Sequence, residues 1–86
     1  MRRKELRTKI LEVIEREWPI SVTQIAEILG LRYENERKRK AIIAKIVYHI
    51  NKLKGEEKVR TKKIGQAVIV WPTDIEKLRV LHELLK

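Results

Sequence analysis

Apolar positions recur along this chain with two different periods. From Arg3 to Glu17, Leu6, Ile10, Val13 and Ile14 return every three or four residues, the spacing that gathers side chains on one face of an α-helix. Leu11 and Trp18 lie beside that stripe, and Pro19, which has no N–H to extend the ladder, ends it. In PISVTQIAEILGL, Ile20 adds a short extended segment. Ser21 with Gln24 three residues on is a capping box, the Ser oxygen taking one orphan N–H and the Gln reaching back. The spacing predicts a short helix that buries Ile25, Ile28 and Leu29. Gly30 closes it in a left-handed cap, with Leu31 folding back as the apolar contact. A longer helix is predicted from about Glu36 to Lys54, with Asn35 as N-cap and Gly55 as stop signal.

After Gly55 the period changes to two. Val59 and Thr61 alternate with Arg60 and Lys62, Gly65 supplies a turn, and AVIVW is β-branched and compact, so EEKVRTKKIGQAVIVWP predicts a β-hairpin with a basic tip. PTDIEKLRVLHELLK then predicts a last helix with a second capping box, Thr73 and Glu76. Ile75, Leu78, Leu81 and Leu85 form its main stripe, with Val80 and Leu84 on another side. There is no internal repeat and no linker. The expectation is one domain over residues 1–86, mainly α with a small β-hairpin, an α+β chain.

The third helix carries two faces. At about 100° per residue, Ile43, Ile46, Val47, Ile50 and Leu53 share one side with Ile42 at its margin. The other side holds Arg37, Lys38, Ala41, Ala44, Lys45, Tyr48 and Lys52. The inner face is core. The outer face is basic, and its two alanines let the backbone approach a flat or grooved partner. The major groove of B-DNA admits such a helix, with alanines meeting thymine methyl groups and the cations reaching guanine edges or phosphates. A plain solvated face, with alanines serving helix propensity, is the simpler alternative for this helix taken alone.

Charge shifts the balance. The net charge is +9, an excess that implies a polyanionic partner. It is concentrated: Arg32 to Lys45 carries net +4, and Lys58 to Gln66 carries another +4. A charged fraction of 38% with no cysteine and little Asn or Gln suggests a thermophile, but paired surface ions do not explain an imbalance of sign.

Other chemistry is thinly represented. Without cysteine there is no disulfide or thiolate, and His49 and His82 are far apart, so no metal site and no cofactor are expected. Ser21 is explained as a cap, the one Asp sits at a helix start, and no glycine-rich phosphate loop is present; no catalytic residue is assigned and no enzyme is expected. No apolar run approaches the roughly 20 residues of a membrane span, and none resembles a signal peptide. The expected location is cytoplasmic, with the nucleoid as the place where a basic partner of DNA resides.

Helix, short strand, helix, turn, basic helix and two-stranded hairpin is an order that resembles the winged helix-turn-helix family, as in many small archaeal and bacterial transcriptional regulators. PISVTQIAEILGL resembles its short strand and second helix, AIIAKIVYHINKL its recognition helix, and KVRTKKIGQAVIVW its wing. The resemblance covers residues 4–72 and leaves 73–86 as an added C-terminal helix. It implies a three-helix core with a wing, and double-stranded DNA as partner. Arg37, Lys38, Ala41, Lys45 and Tyr48 would then contact the major groove, and Arg60, Lys62 and Lys63 phosphates or the adjacent minor groove. Thr23 and Gln24 would sit against the backbone, at a helix N-terminus. The turn LRYENERKRK is longer and more charged than the motif's usual turn, and Glu34 and Glu36 either select cytosine or face away.

Small modules of this kind gain specificity by pairing on two half-sites. Val80 and Leu84, with Leu11 and Trp18, are the expected interface of a homodimer. No small-molecule effector is evident. The alternative function is a winged-helix module for RNA binding or for protein docking in a replication or transcription assembly. Single-stranded RNA recognition relies on exposed aromatics. Here Tyr33, Tyr48 and two Trp residues are available, at least one Trp being expected in the core.

Overall fold

The computed structural model of the chain describes residues 3–75, with side chains from Glu5 onward. The elements run α1 (Arg3–Glu17), β1 (Ile20–Ser21), α2 (Val22–Ile28), α3 (Glu36–Gly55), β2 (Val59–Ile64) and β3 (Ala67–Pro72). The strands form one antiparallel sheet in the order β1-β3-β2, so the hairpin gains a third strand through Ile20 opposite Val70 and Ser21 opposite Ile69. The result is a small mixed α+β arrangement, compatible with a winged-helix topology. Most of the expected final helix, with Val80 and Leu84, lies outside the described residues.

α1 buries Leu6, Ile10, Val13 and Ile14, the stripe its spacing dictates. α2 starts on the expected capping box: Ser21 Oγ accepts from Gln24 N at 3.2 Å, and Gln24 Oε1 accepts from Ser21 N at 2.9 Å. It ends in a Schellman motif, with Gly30 at φ 69°, Gly30 N donating to Glu27 O and Leu31 N to Ala26 O, each at 3.0 Å. One expectation fails here. Ile28 is 45% exposed, while Val22, Ile25 and Ala26 are buried. With α2 only one face deep in the core, the stripe runs 22, 25, 26, 29, and Ile28 lies off that stripe.

α3 begins where Asn35 Oδ1 accepts from Lys38 N at 3.0 Å. It does not stop before Gly55, which is its last helical residue. The left-handed position falls two residues later, on Glu57 at φ 61°. Around it Glu57 N donates to Lys54 O at 3.0 Å and Lys58 N to Leu53 O at 2.9 Å, a second Schellman motif with glutamate where glycine is favoured. Two stabilising substitutions follow. Glu57→Gly relieves the Cβ penalty of that conformation, and Gly55→Ala adds a methyl that meets nothing within 4 Å. Each should stabilise by about 0.5–1 kcal/mol. A thermal melt should show a rise of a few degrees for each; a fall for Glu57→Gly would contradict the assignment of the turn.

The core joins these stripes to Ile46, Ile50 and Leu53 of α3, Ile20, Val59 and Val70. Two findings concern α3. His49, which the helical spacing placed on neither face, is 1% exposed. Val47, expected within the core face, is only half-buried at its edge. The apolar arc is therefore rotated toward α1, where Arg7 Nε donates to His49 Nδ1 at 3.2 Å and satisfies the buried ring. Neither Trp is in the core: Trp18 is 44% exposed and Trp71 is half-buried.

In the hairpin, Val59, Thr61 and Lys63 face one side with Pro72, Val70 and Val68 opposite them, while Arg60, Lys62 and Ile64 pair with Trp71, Ile69 and Ala67 on the other. Gly65 at φ 60° is the first central residue of the two-residue turn, and Gln66 has no positive φ, the pattern of a type II′ turn.

Candidate nucleic-acid interface

The basic block at the front of α3 is divided by its own ion pairs. Lys38 Nζ lies 2.9 Å from Glu34 Oε2, and Arg39 Nη1 lies 3.9 Å from Glu36 Oε2. The two carboxylates of the long turn are thus directed at neighbouring cations. Arg39 also sits 5.9 Å from the Tyr33 ring centroid. Arg37, Lys40 and Lys45 are exposed and have no carboxylate partner among the described residues. Ala41 and Ala44 are exposed between them. The outer face of α3 is therefore a strip of small side chains bordered by uncompensated positive charge.

Tyr48 continues this face at 43% exposure. Its ring meets His49 edge-on at 5.3 Å between centroids, and Lys52 Nζ lies 5.6 Å from its centroid. The buried imidazole braces the ring and the ammonium covers it.

The three wing residues divide between two surfaces. Lys63 projects on the side of Val68, whereas Arg60 and Lys62 share the other side with Trp71 and Ile69. Lys62 and Lys63 are exposed without an ion-pair partner among the described residues. At the start of α2, Thr23 is half-buried and Gln24 is exposed. Gln24 already uses its backbone N–H and its side-chain oxygen in the capping box, which leaves its amide nitrogen for a partner.

A feature not anticipated from the sequence joins these parts. Between the start of α2, α3 and the hairpin runs an open groove of about 640 Å³. Its apolar lining comes from Val22, Ile43, Ala44, Val47, Ala67 and Val68. Ser21, Thr23, Gln66, Arg39 and Lys40 line it as well, and no carboxylate among the described residues does. Lys40 was legible as a candidate, since it lies one turn before Ala44 on the same side of α3. The groove was not, because it draws on three elements.

A second groove, of about 440 Å³, brings together Leu11 and Trp18, two of the expected dimer residues, beside Pro72 and Ile75. Its polar lining is opposite in sign, with Glu15, Glu57 and Asp74 against one cation, Lys58. Among the described residues no group of three or more His, Cys, Asp or Glu is placed to hold a metal, and no helix is long and apolar enough to cross a membrane. No family model, no curated protein and no solved structure matches the chain.

Proposed function

We propose that this chain is a sequence-specific double-stranded DNA-binding protein of winged helix-turn-helix type, acting as a transcriptional regulator. The observation that carries the reading is the outer face of α3. Arg37, Lys40 and Lys45 have no carboxylate partner among the described residues and border Ala41 and Ala44, while the inner face of the same helix is fixed in the core. A helix so mounted presents a rigid, narrow, positive ridge, the shape and charge that the major groove receives. Lys62 and Lys63, two residues before the hairpin turn, extend the positive surface toward flanking phosphates. RNA recognition is less well supported. Tyr48, the exposed aromatic of α3, is engaged by His49 and Lys52 rather than offered as an open stacking platform.

Two copies reading adjacent half-sites is the assembly we propose, with Leu11 and Trp18 at the contact. One titration tests both parts. Fluorescence anisotropy with random duplex DNA, single-stranded DNA and structured RNA, each at several salt concentrations, should show preference for the duplex and a steep fall with salt. Titration at stoichiometric DNA should give two protomers per site. Equal, weak binding to all three would set the DNA reading aside and bring protein docking forward.

A further inference from the structure

We infer that the hairpin tip is a DNA-bending wedge: Ile64 enters the minor groove and inserts between two base pairs, while Lys62 and Lys63 hold the strands on either side. The inference rests on the DNA reading above and adds to it a change in the shape of the duplex, which that reading does not require.

Ile64 is 58% exposed, more than Trp18, Ile28 or Tyr48. It forms the last pair of the hairpin, opposite Ala67, and the turn begins at the next residue, Gly65. β1 pairs with Val70 and Ile69 only, so the Lys63–Val68 and Ile64–Ala67 pairs extend beyond the third strand. Residues 62–67 are all exposed, and a Cβ added at Gly65 would meet nothing within 4 Å. With Gly65 and Ala67 beside it, Ile64 is the one bulky apolar side chain on a narrow end. A single exposed apolar residue is ordinary on a protein surface. Strand propensity does not call for this one, because threonine carries the same branched β-carbon and a hydroxyl for the solvent.

The charge around Ile64 identifies its partner. Lys62 and Lys63 precede it, exposed and without an ion-pair partner among the described residues. Consecutive strand residues point to opposite faces, so one ammonium lies on each face of the ribbon. From Lys58 to Thr73 the sequence has no Asp or Glu. An apolar knob between two cations fits a cleft with negative walls and an apolar interior. The minor groove is such a cleft, with phosphates along both edges and base faces that open when a step unstacks. It is about 6 Å wide, a width that suits an end bearing only Gly65 and Ala67 beside the knob. Isoleucine is among the side chains that unstack a step from this groove, and the bend that results is about 20–90°. The extra backbone contacts of a bent duplex offset the lost stacking.

The test uses a mixed-sequence duplex of about 20 base pairs, a length over which a bend of this size is resolved, with a fluorescent donor and acceptor at its two ends. Binding of the full chain should raise energy transfer, because a bent duplex brings its ends together. A second duplex carries a central mismatched step, whose stacking is already weakened. It should bind on the order of ten-fold more tightly, since the wedge then has less stacking to undo. Ile64→Thr keeps the branched β-carbon and removes the apolar end. It should abolish both the rise in transfer and the preference for the mismatch, while leaving the slope of log affinity against log salt unchanged, because both lysines remain. Ile64→Leu should retain both effects. The side chain is exposed, so these variants should fold, and matching urea midpoints would establish that they do. Bound duplex with the end-to-end distance of free duplex overturns the inference and leaves the DNA reading standing. So does a bend that persists in Ile64→Thr, which would place its origin elsewhere on the protein. A change in oligomeric state rather than in bend with Ile64→Thr would assign the tip to contact between copies and overturn the inference as well. Absence of duplex binding overturns the DNA reading and this inference together.

Discussion

Replacing Arg37 and Lys40 together by glutamate should lower affinity for duplex DNA roughly 100-fold at moderate salt. Each of these cations is exposed on or beside the outer face of α3 and has no internal carboxylate partner among the described residues. Losing a phosphate or base contact of this kind costs about 1–1.5 kcal/mol, and two such losses give about 2–3 kcal/mol, before any repulsion from the new carboxylates is counted. The salt slope should fall by about two. The informative control is Lys38→Gln. Lys38 Nζ is held 2.9 Å from Glu34, so its removal takes away a charge that is already compensated and frees an opposing one. It should change affinity by about three-fold or less, within the range of an exposed ion pair. Anisotropy titration of the three proteins ranks these effects. A larger loss for Lys38→Gln than for the double variant would mean that the ion pairs at the front of α3 open on binding, and that the free cations are not the contacts.

His49→Ala should be among the most destabilising single substitutions in the described fold, at about 3 kcal/mol. The ring is 1% exposed between α1 and α3, and Arg7 Nε donates to its Nδ1 at 3.2 Å. Truncation leaves a cavity and strips a charged donor of its acceptor at the same time. Among the described residues Arg7 then keeps a loose pair with Glu56, at 3.9 Å. For a domain whose total stability is about 5–15 kcal/mol, the shift in a urea midpoint will be large. Arg7→Ala should cost less, because the guanidinium is nearer to solvent.

Much of this arrangement is legible in the sequence. The bounds of α1, the Ser21–Gln24 box, the left-handed Gly30, the Asn35 cap and the hairpin turn at Gly65 all stand as expected. Each is a local rule, settled by residues within four or five positions of one another. The outer face of α3 was legible for the same reason, since helical periodicity assigns Ala41, Ala44, Lys45 and Tyr48 to solvent once Ile46, Ile50 and Leu53 are inward. The sequence falls short where a partner element makes the choice. Ile28 is out and Ala26 in because α2 meets α1 and α3 on one narrow face. His49 is in and Val47 at the edge because Arg7, forty-two positions away, supplies the buried ring with a hydrogen bond. Glu57 rather than Gly55 turns the chain because the helix continues until Leu53 is seated in the core, and the backbone must then reverse at once toward Val59.

By itself, then, the sequence determined the elements, their caps and the sign of the surface. These depend on short-range hydrogen bonding, side-chain period and composition. Only the tertiary structure decided which cations are free, which are paired with Glu34 and Glu36, and that the wing lysines divide between two surfaces. It alone brought Val22, Ile43, Val47 and Val68 together with Thr23, Gln66 and Lys40 in one groove. Contacts of that kind depend on distances between elements far apart in the chain, and no local period encodes those distances.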